Sequence, residues 1–279
     1  DVVVTAGTTL DVAAINFTGT AGFWLQGDGS LTSSTGTLTV TSGAATGNPL
    51  TPDQRNLLDI VDYDGSTPLT LVKNNNNQFR LTQAHTYTGG TVINGGRVNC
   101  ENVGGFGTGT VTVNSGGQAY LTLGSTYANN FVINGNGVTE NAGTLGAIRF
   151  NNNTVVSGTV NLASDSRMTT WTGAAGTVSG VISGSGALEK TGTGTLIFTK
   201  INNYTGGTTV NAGTLQLNAG GSSGCIRGEL TINSGGQVNL NAGDAVFKVD
   251  VAALLQVFPV LDPFGLCGNP DVSGTPCFA

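Results

Sequence analysis

The sequence predicts an all-β protein, a right-handed, single-stranded parallel β-helix, and three observations carry that prediction. Gly supplies 45 of the 279 residues, while charged residues make up only 9%, against roughly 25% in an average soluble domain. Thr, Asn and Ser interleave with Val, Leu and Ile in runs of about five residues broken by Asn-Gly, Ser-Gly or Gly-Gly turns, which suits many short strands and suits long helices badly. The third observation is a long internal repeat.

Thr86-Tyr87-Thr88-Gly89-Gly90-Thr91 through Gly96 returns as Asn203-Tyr204-Thr205-Gly206-Gly207-Thr208 through Gly213, an offset of 204 − 87 = 117. The same offset pairs Leu71 and Lys73 with Leu188 and Lys190, and Phe79 and Leu81 with Leu196 and Phe198. Further on, Val111 to Gln118 returns as Leu230 to Gln237, offset by 230 − 111 = 119. The two residues gained mark a loop, where solenoids accept insertions. Hairpins at the Asn-Gly turns would instead give a meandering sandwich, but similar strand-turn units stack best in parallel, one rung above another. At roughly 20 to 25 residues per coil, the chain predicts about 11 to 13 rungs and a rod on the order of 50 to 60 Å long.

Residues 1–244 read as the solenoid, with an acidic insertion at about 49–66 that predicts a short helix or an excursion loop from Thr51-Pro52. Asp59, Asp62 and Asp64 in it have the oxygen chemistry of calcium ligands. The acidic alternation stops at Gly65-Ser66 without a distal Glu, so no metal site is expected. Residues 245–279 lose the Gly-Thr beat and read as a C-terminal cap or docking segment. There Cys267 and Cys277 enclose two Gly/Pro-rich turns and predict a loop disulfide, hence an oxidising compartment. Cys100 and Cys225 fall about five rungs, or roughly 25 Å, apart and are not expected to pair. An open solenoid end exposes unpaired backbone and needs a cap. Val2, Val3 and Val4 at one end, and Phe258 and Phe264 at the other, are therefore candidates for docking onto a second copy, a contact that propagates into filaments when rotation does not close a ring.

The net charge is −6, the pI is near 4.5, and the ten basic residues are spread singly, which excludes nucleic acid as an expected partner. No run of 18 apolar residues occurs, so no membrane-spanning segment is expected. The start, Asp1-Val2-Val3-Val4, lacks the basic and apolar regions of a signal peptide and reads as already processed. Catalysis finds no constellation. His85 reads as a solvated turn residue, the Ser-rich turns match no nucleophile elbow, and Gly104 to Gly109 is followed by no phosphate-loop lysine. Neither a catalytic residue nor a cofactor is expected.

The stretch Val178 to Leu196, running into Asn203-Tyr204-Thr205-Gly206-Gly207-Thr208, resembles the passenger-associated β-strand repeat of bacterial autotransporters. Leu71 to Val98 is a second, degraded copy with Asn74 to Asn77 in place of the Thr-Gly-Thr-Gly turn. The resemblance implies a β-helical passenger exported to the cell exterior, although nothing in the sequence resembles the membrane barrel that ends such proteins. The function expected is a non-catalytic extracellular structural protein, a filament, sheath or surface-layer subunit whose partner is itself. The alternative is an adhesin or carbohydrate-binding passenger that contacts glycans or a cell surface. A polysaccharide-active β-helix enzyme comes third.

Overall fold

A computed structural model describes residues 2–17, 23–42, 54–140, 143–219 and 225–240. They form a parallel β-solenoid with three faces and no helix. Each turn of chain lays one strand or extended segment on each face in sequence. On the second face, Val2–Val4, Phe23–Gly27, Gln54–Asn56, Gln78–Leu81, Gly96–Cys100, Gly117–Leu121, Ile148–Phe150, the end of Val160–Thr170, Leu188–Thr191, Thr208–Val210 and Leu230–Ile232 stack in unbroken parallel order. Those strands are joined by ten steps, so the described residues make about ten turns and a rod about 48 Å long. Among the described residues, antiparallel pairing is confined to the Thr139–Glu140 and Gly143–Thr144 hairpin and one bridge between Tyr63 and Thr67. The sandwich alternative is thereby excluded.

Alternation along each strand sends one set of side chains inward, where like residues form ladders. Leu71, Thr91, Val111 and Phe131 are one such ladder, with neighbours twenty residues apart at 91, 111 and 131. Phe79, Val98, Ala119, Ile148 and Met168 are another. All are essentially inaccessible, and each large aliphatic side chain so placed stabilises the fold by roughly 1.5–3 kcal/mol. Turns carry polar ladders: Asn114 donates to Asn94 (2.7 Å), which donates to Asn74 (2.8 Å).

The repeat copies do not lie on the same faces. In the first copy Lys73 stands on the strand Thr70–Asn74 of the first face, beside Val40 and Ile93. In the second copy Lys190 stands on the second face, beside Met168 and Val210. A spacing of 117 residues is not a whole number of turns, so the same motif builds whichever face it reaches.

Both lysines point inward and are fully buried. Lys190 Nζ donates to the carbonyls of Gly192 (2.6 Å), Gly194 (2.8 Å) and Ala212 (2.9 Å). Lys73 Nζ donates to Asn74 (2.5 Å) and Asn75 (2.8 Å), with Gly95 at 3.4 Å. Each ammonium thus clips a turn to the turn of the next rung and satisfies carbonyls that sheet bonding leaves free. The buried phenols also repeat: Tyr87 Oη lies 2.5 Å from Thr91 Oγ1, and Tyr204 Oη lies 2.5 Å from Thr208 Oγ1. Gly90 follows at φ 90°, where an added Cβ would sit 2.4 Å from the Thr110 carbonyl oxygen, so the turn admits only glycine.

From Gln54 to Ile60 the acidic stretch is solenoid wall and not helix, with Gln54–Asn56 and Asp59–Ile60 as rung strands, and Tyr63 to Thr67 close an exposed turn; residues 49–53 lie outside the described residues. Apolar Leu58 and Ile60 point inward and hold those strands in the wall. Residues 245–279, with Phe258, Phe264, Cys267 and Cys277, lie outside the described residues.

Candidate outer-face binding site

The outward side chains of the second face converge on one strip. Register places Trp24, Arg55, Arg80, Asn99, Tyr120 and Arg149 in a single column, each one strand above the last. Gln78, Arg97 and Gln118 form the parallel column beside it. The basic residues that look scattered in the sequence are therefore clustered: Arg55, Arg80, Arg97, Arg149 and Arg167 share one face of the rod. Sequence spacing hides this because the rungs differ in length, so only the register aligns the arginines.

Aromatic rings organise the charges. Tyr120 is flanked by Arg97, 5.1 Å from its ring centroid, and by Arg149, at 4.4 Å. Arg149 also lies 4.5 Å from the ring of Trp171, which is 41% exposed. Arg55 covers Trp24 at 5.0 Å, and Arg80 pairs with Glu101 at 2.6 Å. Planar guanidinium on an aromatic face is the geometry that favours Arg over Lys here.

An insertion folds across the strip. The rung between Phe131–Gly135 and Ile148–Phe150 carries extra chain containing the hairpin of Thr139–Glu140 and Gly143–Thr144. Glu140 Oε1 accepts from Arg97 Nη1 at 3.0 Å, and Oε2 accepts from Arg149 Nη1 at 3.4 Å. The Thr144 carbonyl accepts from Arg167 Nη1 at 2.7 Å, and the Gly146 carbonyl accepts from Gln118 Nε2 at 3.0 Å. Beneath this cover Arg97, Asn99, Gln118 and Arg149 are all less than 8% exposed. Burial pulls the Arg97 guanidinium below its ordinary value; Glu140 opposes that and Arg149 adds to it. Two buried positive charges face one carboxylate. Among the described residues, the Nε atoms of Arg97 and Arg149, Asn99 Oδ1 and Gln118 Oε1 have no hydrogen-bond partner.

On the other side of the insertion a shallow polar cavity of about 420 Å³ is lined by Asn136, Asp165, Glu189, Thr209, Asn211 and Asn233. Arg167 borders it through its bond to Glu189 Oε2 (2.7 Å).

The residues singled out in the sequence are placed as follows. Val2 and Val3 are exposed on the strand Val2–Val4, and Val4 is buried against the core. Cys100 and Cys225 are both buried, and they do not pair with each other. His85 is not solvated: its ring is buried and Nδ1 accepts the Ile60 N–H at 3.2 Å, with Asp59 Oδ1 3.7 Å away. The fold needs it as a backbone acceptor. Asp62 and Asp64 are also occupied structurally. Desolvation would raise the Asp62 carboxyl, yet the N–H groups of Leu69 and Thr88 and the Thr88 hydroxyl hold it below its ordinary value. Asp64 accepts from the Ser66 hydroxyl and the Ser66 and Thr67 N–H groups. Among the described residues no group of three His, Cys, Asp or Glu is arranged for a metal.

Comparison with known proteins settles the repeat. The passenger-associated-transport-repeat model matches residues 71–99 and 188–217, the segments that carry Lys73 with Tyr87 and Lys190 with Tyr204. The chain carries autotransporter passenger repeats. Over 75 residues, 26% of the chain, it is 43% identical to the adhesin BmaC autotransporter of Brucella suis biovar 1 (strain 1330). That stretch is 2% of the relative's length, so the chain spans only a small part of it. No solved structure matches. A passenger-repeat chain lies at the cell surface or outside the cell, which accords with a wall of uncharged Thr, Asn and Gly. Among the described residues no helix is long and apolar enough to cross a membrane.

Proposed function

We propose that this β-solenoid is a segment of an adhesin-type surface passenger, a non-catalytic rod that holds a binding face away from the cell. One observation carries the reading: five arginines, Tyr120 and two half-exposed tryptophans are gathered on one outer face of an otherwise weakly charged rod. Aromatic and arginine anchors are the residues that dominate recognition surfaces. The adhesin relative supports the same class. The chain's only histidine is buried, and its Nδ1 accepts a backbone N–H, so it takes no part in this face.

Beads coated with the chain and washed over cultured cells test the proposal. Retention well above albumin-coated beads is expected, with loss in a Trp24→Ala/Trp171→Ala variant, which removes the two exposed rings and their stacking on Arg55 and Arg149. Equal retention of the variant would remove the strip from the contact surface.

End-to-end assembly is the second reading, supported by the exposed apolar side chains of Val2 and Val3. Electron microscopy of the native protein would show filaments, abolished by Val3→Asp. Monomeric rods at high concentration would dismiss it.

A further inference from the structure

We infer that the Arg97–Tyr120–Arg149 cluster is a binding site for a sugar carboxylate, and that the Glu140 hairpin occupies it as an internal stand-in for that ligand. The inference rests on the adhesin reading and narrows it to a ligand class.

Three observations lead to it. The first is charge: two guanidinium groups, both buried and both stacked on Tyr120, present Nη1 atoms to a single carboxylate from a hairpin. Two positive charges against one negative leave the cluster short of an anion, in a chain whose net charge is −6. The second is unsatisfied chemistry. Among the described residues, the Nε donors of both arginines and the buried acceptors Asn99 Oδ1 and Gln118 Oε1 have no partner. Buried polar atoms are rarely left so, because an unmade bond leaves the group's desolvation uncompensated. A carboxylate satisfies the donors, but only hydroxyl or N–H groups on the same ligand satisfy the two amide oxygens. A sugar acid carries both. The third is shape: Trp171 lies against Arg149 and is 41% exposed, a platform for a pyranose ring beside the charged centre.

A ligand has to displace the cover. That cover is the hairpin of Thr139–Glu140 and Gly143–Thr144, set between Gly137 and Gly146, both at φ 85°, with Val138 and Leu145 buried at its base. Its polar hold on the strip comes from Glu140 and from the Thr144 and Gly146 carbonyls. A ligand that competes with Glu140 meets an affinity reduced by the fraction of open sites, and removing the Glu140 charge removes that handicap.

The test uses the whole chain and measures Trp171 fluorescence in a Trp24→Phe background. The probes are trigalacturonic acid, sialyllactose, the methyl ester of each, neutral lactose and a polyglutamate peptide. One or both free acids should bind, the esters and lactose should not, and Glu140→Gln should tighten binding about tenfold. Which acid binds identifies the source, plant-type uronate or animal-type sialate. Equal binding of ester and acid, or preference for polyglutamate, overturns the inference. If Glu140→Gln binds no acid sugar while its beads still adhere to cells, the inference falls and the adhesin reading stands. If neither occurs, both fall. The ester comparison is made on the ligand, so it holds even if Glu140→Gln fails to fold.

Discussion

The buried lysine clips predict that this rod becomes more stable as the solution turns moderately alkaline. Burial lowers Lys73 to about 7 and Lys190 to about 8, from an ordinary value near 10.5. A lysine depressed in the folded state binds fewer protons there than in the unfolded chain, so stability rises with pH between the folded and unfolded values. The penalty is complete below about pH 7 and vanishes above about 10.5. Between pH 7 and pH 9, Lys73 gains about 2 kcal/mol and Lys190 about 1 kcal/mol, at 1.36 kcal/mol per pKa unit. The window closes above about pH 9 because other groups reverse the sign. Burial raises the Cys100 thiol and the phenols of Tyr87, Tyr127 and Tyr204, so the folded state holds protons that the unfolded chain releases there. Stability should therefore peak between about pH 9 and pH 10 and fall beyond it.

The perturbation is Lys73→Met with Lys190→Met, which keeps a straight apolar stem and removes the titrating group. Urea unfolding followed by circular dichroism at pH 7, 8 and 9 gives the slope. The wild type should gain about 3 kcal/mol over this range, seen as a rising urea midpoint, and the double variant should be nearly flat. The slope is informative whatever the variant's absolute stability, which also reflects the carbonyls of Gly192, Gly194 and Ala212 left without their donor. Equal slopes in the two proteins would refute the assignment of these lysines as the titrating groups.

Other expectations follow from single contacts. Gly90→Ala forces a Cβ against the Thr110 carbonyl at a positive φ and should cost about 2–4 kcal/mol in urea unfolding; a neutral result would mean the turn relaxes freely. Tyr204→Phe leaves buried Thr208 Oγ1 without its 2.5 Å partner and should cost about 1–2 kcal/mol, with Tyr87→Phe matching it. Cys100 and Cys225 are buried, and burial pushes the Cys100 thiol up, so peptide mapping should find both unlabelled by a thiol reagent in native buffer and labelled in urea. Fast native labelling of either would show that its rung opens.

The fold was legible because inward residues obey a simple rule. Phe79, Leu81, Val98 and Cys100 in one copy become Leu196, Phe198, Leu215 and Leu217 in the other, and every one is buried. Alternation carried a further message that the turn-based reading of His85 overlooked: His85 and Tyr87 are two residues apart, hence on the same side, and that side is the core. The acidic stretch misled for the opposite reason. Its Asp residues suggested an excursion, yet Leu58 and Ile60 between them keep the inward period.

The strip was invisible for a physical reason that also bears on what it does. Whether Arg55, Arg80, Arg97 and Arg149 align depends on the length of every rung between them, and the rung that contains the Glu140 hairpin runs 29 residues, from Phe131 to Val160, where its predecessors run 20. Comparing the two copies position by position separates scaffold from surface. Outward Arg80, Arg97 and Tyr120 correspond to Ile197, Thr214 and Asn239, while the inward residues beside them stay apolar. The copies also occupy different faces, so a given outward position points in a different direction in each. A repeat used in this way specifies how to build a rung and leaves the outer side chains unconstrained. Recognition chemistry should then appear where the copies diverge and where an insertion interrupts the beat. Arg97, Tyr120, Arg149 and Glu140 sit at that intersection.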